Sequence, residues 1–398
     1  MGGFAAARTP TTGLGATGPG ATGLGAVTLA VVADVHIDAS FSWAEPALGR
    51  KLRQCIRDAL RRAVARAGEL GVDAFLVAGD LFEDGRYAPD TPEYLRKLFS
   101  EIDPIPVLLA PGNHDFAGPA SPYRSVVWGQ NVHLFSDTRL SPFELADGPT
   151  IWGACHDRPA GTPGFFDSGF EVARGGVHLA LFHGAERGSL FMQDEGKELH
   201  APFEESQVAA AGISHAFVGH YHVPRDTDAL TYPGNLEHLA FGEQGERALV
   251  IAEVAGTGAV TAKREVLADV GMYDAVADAT GCETVDAVRD RVAEALSTLP
   301  ASGQVRVARV SVVGEMPADI ELTAAGIVDV RNDLDAVLVR SIEVRPSYDV
   351  EQIAGEATVR GAYVRLVRDA GDLAEDERDL VMLAGLRALD GRNDLEVL

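Results

Sequence analysis

Five short apolar runs, each ending in a polar cluster, restrict this chain more than any other feature of its sequence. Val27 to Ala33 runs into Asp34-Val35-His36, and Ala74 to Ala78 runs into Gly79-Asp80. Ile105 to Leu109 leads through a Pro-Gly break to Gly112-Asn113-His114-Asp115. Val177 to Phe182 meets His183-Gly184, and Ile213 to Val218 meets Gly219-His220-Tyr221-His222. Continuous apolar runs of this length read as strands buried on both faces. In open α/β sheets the ligand site lies beyond the carboxyl ends of such strands. The strand ends therefore deliver Asp34, His36, Asp80, Asn113, His114, His183, His220 and His222 to one edge.

The segments between the runs suggest how that edge is supported. Arg50 to Leu70 has helical periodicity, with Leu52, Ile56, Ala59, Leu60, Ala63, Val64 and Ala67 on one stripe. Its other face carries Arg50, Lys51, Arg53, Arg57, Arg61, Arg62 and Arg66. Such a run reads first as a solvated face, and second as a partner or nucleic-acid surface. A second helix is expected from Pro92 to Ile102, with Thr91 as N-cap and Pro92 at the first helical position. Strand, helix, strand, helix, strand makes a βαβ core. Short alternating strands over 132–152 and 230–263 point to a sandwich of two sheets. The fold class expected is α/β (α+β), a β-sandwich flanked by helices. A smaller α+β domain should follow over 266–345, and a C-terminal segment with a helix at Glu375 to Leu389 over 346–398.

Residues 1–26 form a Gly/Thr/Ala tract too poor in bulky apolar groups to order itself. Residues 13–18 match G-x-G-x-x-G, but they precede the first strand. A dinucleotide fingerprint follows a strand and opens a helix, so the match reads as coincidence. Cys55, Cys155 and Cys282 are far apart and form no CxxC pair, which argues against a disulfide framework or a thiolate zinc site. No apolar run approaches the roughly 18 residues of a membrane span. With no secretory segment visible, a cytoplasmic location is expected. The net charge of -25 weighs against nucleic acid, since phosphate contacts call for a basic footprint. Bound divalent cations would reverse the local field at a carboxylate-rich site.

Carboxylate, imidazole and one amide oxygen make a mixed donor set that suits manganese, iron or zinc rather than calcium. Asp34 and His36 stand two apart at a strand end, as do His220 and His222, so each pair can face one ion. Asp80, at the end of a central strand, is placed to bridge two ions. Two ions roughly 3.5–4 Å apart stabilise both oxygens of an in-line displacement at phosphorus. Any one of these groups has a plainer explanation, because a lone Asp or Asn after a strand is usually a turn former. His133, His156, His178, His200, His215 and His238 are read as structural. The whole set, in order at five strand ends, reads as a metal site.

Asp34-x-His36, Gly79-Asp80, Gly112-Asn113-His114-Asp115, His183 and Gly219-His220-x-His222 resemble the five signatures of the calcineurin-like metallophosphoesterases, over about residues 27–265. The resemblance implies a dinuclear centre. Asp34, His36, Asp80 and His222 would hold one ion, and Asp80, Asn113, His183 and His220 the other. His114 would not ligate; it would stabilise the transition state or protonate the leaving oxygen. Gly79-Asp80-Leu81-Phe82, Tyr232-Pro233-Gly234-Asn235-Leu236-Glu237 and Gly385-Leu386-Arg387-Ala388-Leu389 are similar to the SbcD/Mre-type DNA repair nucleases. That likeness implies manganese-dependent exonucleolytic and endonucleolytic cleavage of DNA, with iron, zinc or magnesium as other candidate metals. It also implies a cap domain over 266–345, an SbcC-type coiled-coil ATPase docked on 346–398, and a homodimer through the helices Arg50–Leu70 and Pro92–Ile102. Some relatives place a His three residues after the bridging Asp, where this chain has Glu83. A small-molecule phosphodiesterase or phosphatase on the same core is the alternative enzyme, and a non-catalytic scaffold the alternative outside enzymes.

Overall fold

The computed structural model describes residues 26–173, 175–192, 198–330, 332–371 and 373–390. The low-complexity tract and its 13–18 pattern lie outside the described residues. The chain divides into two compact units. The first takes in the chain up to Ala39, Ile56–Leu236 and Gly245–Leu267; the second takes in Ser40–Cys55, Glu237–Gln244 and the chain from Ala268 onward.

The first unit holds two six-stranded sheets. One is built from β1 (Val27–Val32), β2 (Ala74–Val77), β3 (Val107–Leu109), β4 (Val132–Leu134), β11 (Ala248–Val254) and β12 (Val260–Val266), in the order β12-β11-β1-β2-β3-β4. The other is built from β5 (Ser141–Glu144), β6 (Thr150–Gly153), β7 (His178–His183), β8 (His215–Gly219), β9 (Arg225–Asp226) and β10 (Leu230–Tyr232), in the order β5-β6-β7-β8-β10-β9. Strands β1 to β4 are parallel, as are β6, β7, β8 and β10, while the hairpin strands at the margins are antiparallel.

Leu29, Val31, Leu76 and Leu108 of the first sheet share a core with Ile151, Leu179, Leu181 and Phe217 of the second. Burying each of these side chains is worth about 1.5–3 kcal/mol, so the sandwich is a rigid base for its loops. The opposite faces of β7 and β8, with Phe182 and Val218, pack against Phe165, Phe203 and Val208. Strands covered on both faces read as unbroken apolar runs, which is why the five runs were legible. They do not belong to one sheet, however. Three come from the first sheet and two from the second, so the candidate site lies where the ends of two packed sheets meet.

The helix Pro46–Leu70 buries Ile56, Ala59, Leu60, Ala63, Val64 and Ala67, the expected stripe. Five of the seven cations of its basic face are held within the chain. Arg57 reaches Asp38 and Asp90, Arg61 reaches Asp58, Arg62 donates to the Leu267 carbonyl and Arg66 pairs with Glu265. Lys51 pairs with Asp335. The second helix runs Thr91–Ser100 and its N-cap is Asp90, not Thr91. The Thr91 hydroxyl is instead taken by Asp38 and Arg57, which outcompete the local capping bond.

The second unit carries a three-stranded parallel sheet of β13 (Val270–Asp278), β14 (Val305–Pro317) and β15 (Ala336–Ser347). Helix Val285–Ser297, capped by the Thr284 hydroxyl on the Ala287 N–H, packs Val288, Val292 and Leu296 on Val310 and Val312. Helices Val359–Arg368 and Glu375–Leu389 close a small core of Val364, Val367, Met382 and Leu386. Among the described residues, no helix is long and apolar enough to cross a membrane. The three cysteines are buried and none is in a disulfide.

Candidate metal centre

Four of the eight site residues leave their strands through strained backbone. Asp34, His36, Asp80 and His220 all have positive φ, at 50°, 49°, 53° and 117°. Non-glycine residues adopt this region at a cost of order 1–3 kcal/mol each, and such strain persists only where surrounding structure dictates it. Here the loops dictate it: the Asp34 N–H donates to the Gly79 carbonyl, the His36 N–H to the Asp80 carbonyl, and the Gly184 N–H to the Gly219 carbonyl. Glycines let these loops close. A Cβ on Gly112 would stand 2.2 Å from Asp80 Oδ1, and one on Gly219 would stand 2.0 Å from the Ala78 oxygen.

The structure brings several of these side chains within reach of one another. Ligand atoms of Asp34, His36 and His222 lie within 4.8 Å of one another, as do those of Asp34, Asp80 and His183. Asp80 Oδ2 is 3.2 Å from His183 Nε2 and 3.7 Å from His36 Nε2. The His220 ring is 5.3 Å from that of His183, and the His220 backbone N–H donates to Asp34 Oδ1. Asn113 is buried beside them, and the His114 N–H donates to Asp80 Oδ1 at 2.9 Å. Asp34 thus stands in two of three such groups, the third being His36, Glu83 and His114, whereas the family pattern assigns Asp34 to one ion and makes only Asp80 shared.

The donor atoms fit divalent ions. His36 Nε2, Asn113 Oδ1 and His183 Nε2 are buried with no aligned hydrogen-bond partner. Buried polar atoms without a hydrogen bond are uncommon in folded proteins, and His36 Nε2 and His183 Nε2, both facing Asp80 Oδ2, are atoms that a divalent ion would take up. His183 Nδ1 faces the Ala78 carbonyl at 3.0 Å, which leaves Nε2 as the ligating nitrogen.

Charge in the metal-free site follows burial and neighbours. Burial pushes the Asp34 carboxyl up, ahead of the histidines that pull it down. Burial acts the same way on Asp80, but His183, His36 and His114 together hold it well below the ordinary carboxylate range. Burial alone would depress His183; Asp80 carries it up to about 9. His220 is pushed well down, by burial first and by His183 second, so its imidazole is neutral. A proton on His183 therefore balances Asp80 where a cation would do so.

Four residues outside the expected ligand set complete the site. Asp115 is fully buried, and its oxygens accept from the N–H groups of Asp80, Leu81 and Gly112 and from the Tyr123 hydroxyl, at 2.6–3.0 Å. It locks the Asp80 loop to the Asn113 loop, and its place beside His114 in the Gly-Asn-His-Asp run was the available signal. Glu83 bridges His36 and His114. His156, read as structural, accepts that role in part: its Nε2 faces the His183 carbonyl at 2.8 Å. His200, also read as structural, lies against the site, its ring 5.5 Å from that of His220.

Tyr232 to Glu237 also find a physical account. Gly234, at φ 73°, lies against the His222 carbonyl, and the buried Arg247 donates to both Asn235 and that carbonyl. This turn holds the His220–His222 loop in place.

Residues 27–224 match the family model for calcineurin-like phosphoesterases. The chain belongs to the calcineurin-like metallophosphoesterase superfamily. As such it is a metal-dependent phosphoesterase, and the clusters above are where divalent ions fit. This metallophosphoesterase is 25% identical over 304 residues to the uncharacterized metallophosphoesterase YhaO of Bacillus subtilis, covering 73% of this chain and 72% of that one. It is 29% identical over 341 residues to the DNA double-strand break repair protein Mre11 of Haloferax volcanii, covering 81% of this chain and 66% of that one. A crystal structure of TT1561 from Thermus thermophilus aligns with 60% of this chain and 98% of its own, at 11% identity and a TM-score of 0.36.

Proposed function

We propose that this metallophosphoesterase hydrolyses phosphodiester bonds of DNA, as the nuclease subunit of a complex with an SbcC-type coiled-coil ATPase. The observation that carries a phosphodiesterase reading is the pair of buried clusters sharing Asp34, with His114 half-exposed at their rim. The likeness to a protein named for DNA double-strand break repair supports DNA as substrate.

Asp34, His36, Asp80 and His222 would hold one ion, and Asp80, Asn113, His183 and His220 the other, with manganese as the proposed metal. Bound divalent ions supply Lewis-acid activation of water and charge neutralisation at phosphorus. The remaining chemistry belongs to the chain. The His114 side chain is 48% exposed, and its Nδ1 lies 3.0 Å from Glu83 Oε2. That hydrogen bond, with help from Asp80, pushes the imidazole up to about 9 against the effect of burial. In the metal-free protein His114 therefore carries a proton on Nε2 at neutral pH, the proton it would give to the leaving oxygen. Asp115 keeps the loop of His114 in register with Asp80.

The segment after the core is assigned as cap domain over 266–345 and partner-docking segment over 346–398, and the active form as a homodimer. A small-molecule phosphodiesterase is the second reading. It is favoured by the net charge of -25 and by the arginines of helix Pro46–Leu70 that are held in internal pairs.

The test is manganese-dependent digestion of single-stranded DNA, double-stranded DNA and bis-p-nitrophenyl phosphate in parallel, with Asp80→Ala as control. Cleavage of DNA that disappears in the variant supports the nuclease reading. Turnover of the small ester with DNA intact, even beside a candidate ATPase, replaces it with the second reading.

A further inference from the structure

Glu83 occupies a position where an imidazole could not do what a carboxylate does. Its Oε1 lies 2.8 Å from His36 Nδ1 and its Oε2 lies 3.0 Å from His114 Nδ1. A carboxylate only accepts, so both Nδ1 atoms must carry the proton. His36 Nε2, the other ring nitrogen, is buried without a hydrogen bond and lies 3.7 Å from Asp80 Oδ2. The Glu83 bond leaves His114 Nε2 as the outward nitrogen. A neutral histidine in place of Glu83 has one acceptor nitrogen and could hold one of the two rings, not both.

The geometry leaves Glu83 little freedom. The next residue, Asp84, donates its N–H to the His114 carbonyl at 2.7 Å, so the loop of Glu83 is fastened to the loop of His114. On the other side Ile37 donates to the Leu81 carbonyl, which fastens it to the loop of His36. Phe82 is buried beneath, against the rings of Tyr87 and Tyr123. The His36 and His114 rings meet edge to face at 5.0 Å.

We propose that Glu83 is a positioning residue that couples the metal ligand His36 to the acid His114, one carboxylate oxygen holding each imidazole. Binding of a cation by His36 would then stiffen the same carboxylate that aims His114, so the acid is best placed when the site is loaded. The assignment of His36 as ligand and His114 as acid rests on the phosphodiesterase reading; the pairing of the rings by Glu83 does not.

The experiment therefore begins without substrate. In metal-free protein with ¹⁵N-labelled histidine, long-range ¹H–¹⁵N spectra should show a protonated Nδ1 in both His36 and His114. Glu83→Ala should release both rings to mixed or Nε2–H forms, and Glu83→Gln, which retains one acceptor oxygen, should release one. Manganese titrated into Glu83→Ala by calorimetry should bind about 10–100-fold more weakly, the usual loss for an outer partner of a ligating histidine. His114→Ala, which leaves Glu83 Oε1 on His36, should weaken manganese binding by much less than Glu83→Ala does. Addition of zinc, a diamagnetic divalent ion, should narrow the His114 ring motion in the parent and leave it unchanged in Glu83→Ala. Unaltered tautomers and affinity in Glu83→Ala would overturn the proposal, as would the loss of one bound ion, which would make Glu83 a ligand. Backbone amide spectra of Glu83→Gln establish that the fold is kept. A protein that cleaves no diester but passes these tests would refute the phosphodiesterase reading and leave the pairing intact.

Discussion

Removing metal should lower the thermal stability of the first unit by a calculable amount. Two overlapping clusters share Asp34, and Asp80 Oδ2 faces His183 at 3.2 Å and His36 at 3.7 Å. A site saturated to 100 times its dissociation constant adds about 2.7 kcal/mol. Two such sites add roughly 5 kcal/mol. For a unit of this size each kcal/mol moves the midpoint by about 2–4 °C. The transition of the first unit should then rise by about 10–20 °C between excess EDTA and saturating manganese, read by calorimetry. The variants divide that shift. His36→Ala and His183→Ala each touch one cluster and should keep about half of it, whereas Asp80→Asn faces both and should keep little. The second unit contributes no residue to either cluster, so its transition should stay in place. A shift under about 3 °C, or equal losses in all three variants, would refute the two-cluster reasoning.

Metal uptake should also be pH-linked. Asp80 raises His183 to about 9 against the effect of burial, so near pH 7.5 its ring is protonated and must lose that proton to ligate. Calorimetry in buffers of different ionisation enthalpy should show about one proton released per loaded chain, and affinity should climb with pH until it levels near 9. No release at pH 7.5 would contradict the assignment. The same shift has a stability sign in the metal-free protein. A folded value raised above the ordinary 6.5 stabilises fully below about 6.5 and is lost as pH rises toward about 9. Gly219→Ala should abolish metal binding rather than weaken it, because the new Cβ would stand 2.0 Å from the carbonyl that orients His183; manganese calorimetry near parent affinity would refute this. Arg61→Ala and Arg66→Ala should each change the slope of log affinity against log salt for duplex DNA by well under one, since both arginines are spent on Asp58 and Glu265. A drop of about one per arginine would make that helix a phosphate-contacting face after all.

What could be read from sequence and what could not divide along a physical line. Asp34, His36, Asp80, Asn113, His183, His220 and His222 were legible because two local signals coincide at each: an apolar run long enough to be a buried strand, and a ligand-type side chain at its end. Both signals are contained in a few consecutive residues. That two sheets meet at the site was not legible at that edge, since β2 and β7 read alike and differ only in their pairing partners. The basic face of helix Pro46–Leu70 shows the same limit. Its composition suggested a solvated or nucleic-acid surface, but Arg66 and Glu265 are far apart in sequence and only the folded chain brings them together. Asp115 and Glu83 are intermediate. Each sits inside or beside a motif, and each works by accepting hydrogen bonds from groups that the motif does not name. Asp115 takes four donors from two loops and its neighbour Tyr123. Glu83 takes one imidazole with each oxygen. Ligands can be recognised from what they are; the groups that aim them can be recognised only from what they touch. The departure from histidine at position 83 is thus a different solution to holding His114, made possible because a carboxylate has two oxygens and His36 stands within reach of the second.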